Sequence, residues 1–218
     1  MNAARVTTMC AIAIMAGLQL PANLAHADDV KLSGFPSLIL SGGTAKSTSY
    51  SMPKPFENLI KADTLDVRFG QTTLDQVQKE FGGEIRKRAE GPASANWLCY
   101  QVALDGHASN LWFISNGEAG GGSKRLLTMV SAEESDTARS GCSQGPETLT
   151  MWVLPVPGLK DGAPQLQKTF GESVDDGIIR YSNEHGPDAN GVITLQALVY
   201  RLKGGEIDGI SFSQIAAK

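Results

Sequence analysis

The sequence is poor in the groups that a catalyst working near neutral pH depends on. Its 218 residues hold three histidines and three cysteines. Cys10 and His26 fall within the first 27 residues, which leaves His107, His185, Cys99 and Cys142. Two histidines in turn-like surroundings supply few general bases. Neither is spaced with a cysteine as a zinc site requires. The reading is therefore no enzyme, no catalytic residue, no metal and no cofactor. A basic excess is also lacking: 19 Lys and Arg stand against 23 Asp and Glu, a net charge of −4. That mild acidity argues against nucleic acid or a polybasic membrane role. Beyond residue 27 no apolar run is long enough to span a bilayer, so no transmembrane segment is expected there.

Residues 1–27 read as a secretory signal. Arg5 is their one full charge, residues 6–20 are mostly apolar, and Ala25-His26-Ala27 offers small residues for cleavage. Cys10 does not end the apolar run as a lipid-attachment cysteine should, so cleavage is placed after Ala27. The remaining chain, 28–218, carries 18 basic and 23 acidic residues and is expected in the periplasm or secreted. In such a compartment the even pair Cys99 and Cys142 reads as a disulfide. A catalytic thiol is the alternative.

What the chain does contain is a repeat. Residues 72–82, TTLDQVQKEFG, and 161–171, DGAPQLQKTFG, share Q-x-Q-K-x-F-G at an offset of 89. Each reads as a short helix. Thr72 and Asp161 stand where an N-cap belongs, and Asp75 approximates a capping box with Thr72. Leu74, Val77 and Phe81 form one apolar stripe; Ala163, Leu166 and Phe170 repeat it. Gly82 and Gly171 then stop the helices. The shared Gln and Lys residues fall on the solvated side.

The rest divides around these copies. Residues 28–52 read as an N-terminal segment and flexible linker, and residues 53–62 suggest a helix after Pro55. Residues 97–103 alternate as a strand, with Leu98, Tyr100 and Val102 on one face and Trp97, Cys99 and Gln101 on the other. Further strands are expected at 110–114, 126–130, 149–154, 178–182, 194–201 and 206–212, the last two joined by a hairpin at Lys203-Gly204-Gly205.

Three motifs fail on context. Gly141-Cys142-Ser143-Gln144-Gly145 matches G-x-S-x-G, but Pro146 follows where a nucleophile elbow needs a helix. A serine hydrolase acting through Ser143 is the least favoured reading. Residues 117–124 place Ser123 before Lys124, the reverse of a phosphate loop. Residues 183–191 lack the oxygen spacing of a calcium loop. The last two segments read as projecting loops, where binding residues often sit.

Gly70, Thr72, Gln76-Val77 and Gly82, followed by Trp97 and Tyr100, roughly follow the pattern G-x-[ST]-x-x-x-V-x-x-x-x-G, with one extra residue before the valine, and an aromatic strand comes after it. The chain thereby resembles the β-lactamase inhibitor protein fold and the single-unit SmpA/OmlA outer-membrane lipoproteins. Asp161, Gln165-Leu166, Gly171 and Tyr181 repeat the pattern, with Leu159 in place of the first glycine. The lipobox of the lipoproteins is missing. The resemblance implies an α+β fold of two tandem units, each a helix pair and an antiparallel sheet, with helices on one face. The boundaries are 1–27 signal, 28–52 segment and linker, 53–135 first unit, 136–154 connection and 155–218 second unit. It further implies a non-catalytic protein-binding module, an inhibitor or immunity-type protein directed at a secreted or periplasmic hydrolase. An envelope-assembly scaffold is the alternative. The residue types that anchor interfaces make Trp97, Trp112, Arg180 and Tyr200 the partner-binding candidates, on an open sheet face.

Overall fold

The computed structural model describes residues 31–57, 60–88, 95–104, 106–135, 137, 139, 141–150, 152–154 and 156–217. The expected signal at 1–27 lies outside them. The fold is α+β, with one large mixed sheet of nine strands, a second sheet of three and three α-helices. The helices are α1 (Gly34–Leu40), α2 (Leu74–Phe81) and α3 (Ala163–Phe170).

Nine strands make the large sheet: β1 (Thr48–Ser51), β4 (Arg86–Arg88), β5 (Ala95–Leu104), β6 (His107–Asn116), β7 (Met129–Glu134), β8 (Ser143–Gln144), β10 (Gly177–His185), β11 (Ile193–Lys203) and β12 (Glu206–Ala217). Their order is β1-β10-β11-β12-β7-β6-β5-β4, with β8 also on β5. Two antiparallel meanders, β5-β6-β7 and β10-β11-β12, meet where β7 pairs antiparallel with β12, Val130 opposite Phe212. The small sheet joins β2 (Ile60–Ala62), β3 (Leu65–Val67) and β9 (Trp152–Val153).

Both repeated segments are helices ended by glycine, as expected. Gly82 and Gly171 have φ of 72° and 88°, which side chains larger than hydrogen adopt at a cost. The caps differ from the expectation. Thr73, not Thr72, caps α2, closing a capping box with Gln76. Thr72 is buried and accepts the Arg68 N–H instead. Gly162 caps α3, while the Asp161 carboxylate accepts from Gly158 N–H in the preceding turn. Each stripe packs on tyrosines of the sheet. Phe81 meets Tyr100 and Phe113; Phe170 meets Tyr181 and Tyr200. The shared Gln and Lys residues lie away from the core, Gln78 half-buried and the others exposed.

Three expectations are overturned. Residues 34–40 form α1 and 48–51 form β1, so the supposed linker is structured, and Thr44 within it is buried. The helix expected in 53–62 is absent among the described residues: Ile60–Ala62 is strand β2, whose alternation buries Ile60 and Ala62 and exposes Lys61. Residues 147–150 form a 3₁₀ turn, leaving only Trp152–Val153 of the strand expected at 149–154.

Candidate outer-face site

Alternation sends every second residue of the meanders to the face opposite α2 and α3. Its middle is not open. Trp97, Cys99, Trp112, Ile114 and Met129 form a second apolar cluster with Leu32, against which Ile39 and Leu40 of α1 and Cys142 pack. The Cys99–Cys142 disulfide ties the segment before β8 to β5.

α1 is held down by a buried carboxylate. Glu133 of β7 is 1 % exposed and accepts the Phe35 N–H at 2.9 Å. Arg139 donates to it through Nε at 2.6 Å, and Arg201 lies 3.5 Å away. The Arg201 guanidinium, which also binds Asp208, stacks 5.1 Å above the buried Phe35 ring. An acid at a helix start meets the positive end of the peptide dipoles.

This cover decides where the sequence candidates fall. Trp97 and Trp112 face outward as expected but are 2 % and 1 % exposed, because α1 and the disulfide-linked segment lie over them. Tyr200 faces the other way: it pairs with Ile179 in the inner core and donates its hydroxyl to Pro157 O at 3.2 Å. These three therefore offer no exposed anchor. Arg180 does lie on the outer face, half-buried, with its guanidinium donating to Thr44 Oγ1 at 2.7 Å. The structure does not bring the four together. Ser143 sits in two-residue β8 beside Tyr100, with no helix directly after it, so the strand–turn–helix of a nucleophile elbow is not formed. Among the described residues no His, Cys, Asp and Glu group could hold a metal.

Two parts of the face remain open. At one end Glu184, Leu195 and Ile215 lie in one row across β10, β11 and β12, with Ile193 opposite Ala217 in the next outward row. Leu195 is 39 % exposed, the most open large apolar side chain among the described residues, and Ile193 and Ile215 are half-buried. The registers bring the β6–β7 and β10–β11 loops, residues 117–128 and 186–192, to this end. In the second loop the Asn190 and Val192 N–H groups donate to the Asp188 carboxylate, holding it below the usual carboxylate range.

At the opposite end lies an open cleft of about 420 Å³ over Gln101, Ala103, Ala108 and Asn110, bounded by Ser135, Thr137 and Gln144. A larger charged hollow, about 560 Å³, opens beside the β5–β6 and β11–β12 turns. There Lys160 bridges Glu134 and Glu206 at 2.8 and 3.2 Å, and those hydrogen bonds raise its affinity for the proton. Sequence reasoning missed Glu133 and Asn110. Outward parity with Trp112 on β6 and with Met129 on β7 was the available signal for both.

Comparison of the chain with protein families, with curated proteins and with solved structures found no match.

Proposed function

We propose that this chain is an exported, non-catalytic protein-binding module, of the inhibitor or immunity type, acting on a secreted or periplasmic hydrolase. In this reading it is built from two tandem units, helix then antiparallel meander, fused into one sheet through β7 and β12. The paired aromatic clusters, Phe81 on Tyr100 and Phe170 on Tyr181, support the duplication. The disulfide supports an extracytoplasmic site.

The observation that carries the binding role is the exposed Leu195 row between two loops, on a strand flanked on both sides within the sheet. An apolar centre bounded by polar loops is the arrangement of an interface hot spot. The partner seats on Leu195 and Ile215, with the two loops entering its cleft and Arg180 at the margin. The binding surface therefore moves from the buried tryptophans to the β10–β12 end.

The test is to immobilise the oxidised 28–218 chain, expose it to periplasmic and culture fractions, and repeat with Leu195→Asp. A hydrolase should bind stoichiometrically, lose activity, and be released at least about tenfold more readily by the variant, the cost of losing one central apolar anchor. Equal retention by a normally folded Leu195→Asp chain would sink the surface. Recovery with outer-membrane material alone would favour the scaffold reading.

A further inference from the structure

The large sheet ends on β1, and among the described residues nothing pairs with the outer side of that strand. Met52 N–H donates to Ser182 O at 2.7 Å, so Met52 and Tyr50 aim their backbone groups at β10. Backbone groups alternate sides along a strand, so the N–H and C=O of Ser49 and Ser51 aim the other way. Thr48, Ser49 and Ser51 are exposed, which leaves these four groups to solvent. Charge, proline and bulges, the devices that usually blunt an edge, are all missing from Thr48–Ser51.

A second copy of the chain fits this edge poorly. Only one twofold antiparallel register uses all four groups: Ser49 opposite Ser51 of the other copy, with Tyr50 on the axis. Centring on Ser51 sets Ser49 against Pro53, which has no N–H. Centring on Ser49 sets Ser51 against Ser47, whose N–H is already given to Thr44 O at 3.1 Å. The surviving register lays Lys46 of one copy beside Lys54 of the other. Both lysines are exposed, and among the described residues neither forms an ion pair. Like charges facing each other across paired strands repel.

The same two lysines, one just before the edge and one just after it, define the occupant that does fit. We infer that β1 takes up an extended acidic peptide segment of another protein as a further strand. Its backbone bonds to Ser49 and Ser51, and its carboxylates lie at either end against Lys46 and Lys54. A central apolar side chain of the segment lies beside Tyr50, which is half-buried on the inner face and stacked 5.5 Å from Tyr181. Backbone pairing supplies affinity with little regard to sequence; the lysines supply the choice of charge. This edge is separate from the Leu195 row and independent of any partner there.

The experiment is a titration of the oxidised, ¹⁵N-labelled protein with the acetylated and amidated peptide Glu-Glu-Thr-Val-Thr-Glu-Glu, followed at the Ser49 and Ser51 amides. Its counterpart Lys-Lys-Thr-Val-Thr-Lys-Lys, and the acidic peptide with both threonines N-methylated, serve as comparison ligands. The acidic peptide should give saturable shifts and slow hydrogen exchange at both amides, and neither comparison ligand should. Ser51→Pro removes an outward N–H that the fold does not use. It should weaken binding about tenfold, the loss of one hydrogen bond; should that variant not fold, Ser49→Pro provides the same reading. Lys46→Glu combined with Lys54→Glu should transfer the preference to the lysine peptide. Absence of saturable shifts with the acidic peptide, equal shifts with either comparison ligand, unchanged affinity in the folded proline variant, or unchanged preference after charge reversal would each overturn the assignment. So would a dimer in sedimentation that protects the Ser49 and Ser51 amides.

Discussion

Tyr100, Tyr181 and Tyr200 give the inner core its shape and also set its tolerance to alkali. Burial raises the affinity of all three phenols for their protons, with Tyr181 pushed up to about 12. A tyrosine whose folded pKa lies above its unfolded value stabilises fully below about pH 10 and loses that contribution as pH rises toward the folded value. The expected outcome is that these three ionise together with unfolding, in one cooperative step above pH 10. Parallel records of tyrosinate absorbance and far-ultraviolet circular dichroism check this; separate transitions would contradict it. A second prediction concerns Gly34. Its φ is +74°, and a Cβ there would lie 2.6 Å from Glu133 Oε1 and 2.8 Å from Trp112. Gly34→Ala should cost about 2 kcal/mol or more in urea unfolding, adding left-handed strain to a clash in a packed face. At this scale the sequence was readable where alternation was regular. Leu98, Tyr100 and Val102 face the helices, and Trp97, Cys99 and Gln101 face away, as their order implies. Tyr200 was not readable, since a strand's facing turns on a single residue of register.

Among the elements, α1 changes the reading of the molecule most. Its sequence, GFPSLIL, has no side-chain N-cap, no charge and too few residues for a 3.6-residue period to show. The short strands β1, β2 and β9 gave equally little. The repeated helices, with cap, stripe and terminal glycine, were legible within a residue or two. What α1 has instead is a tertiary anchor that no local pattern carries: Glu133, 98 residues away from Phe35 in the chain. Removing it should free the element. Glu133→Ala leaves Arg139 and Arg201 facing each other beside an uncapped helix start. Both arginines retain about a third of their exposure, so the expected loss is about 2 kcal/mol, less than for a fully buried pair. Hydrogen exchange at Phe35 N–H should accelerate more than at core amides such as Phe113. Glu133→Gln, which keeps an acceptor, should show a smaller effect; equal exchange at both amides in Glu133→Ala would refute the anchor.

At the scale of the whole molecule one sheet carries an inner layer of α2, α3 and the small sheet and an outer cover of α1. The α+β class was legible in the repeat, but the expected helix pair per unit with all helices on one face was not met: among the described residues one helix precedes each meander, and α1 lies on the opposite face. The outer cover was not legible, because exposed and covered strand faces look alike in sequence until something is known to lie on them. The disulfide closes a 43-residue separation across that cover. Cys99→Ser with Cys142→Ser should lower stability by about 4 kcal/mol on the chain-entropy argument. The urea midpoint should fall, and Trp97 and Trp112 fluorescence should shift toward that of solvated indole. A midpoint within error of the oxidised protein would deny the bond a structural role.

The seam between β7 and β12 sets Ala132 opposite Ile210, 78 residues further along. During vectorial synthesis the first meander emerges complete while the strand that will cover its border is still unmade. For that interval β7 presents bare amides and carbonyls to any neighbouring polypeptide, and two nascent copies can join at the same border in place of one chain closing on itself. Late closure of so distant a pairing makes maturation slow, and yield should depend on how crowded the emerging chains are.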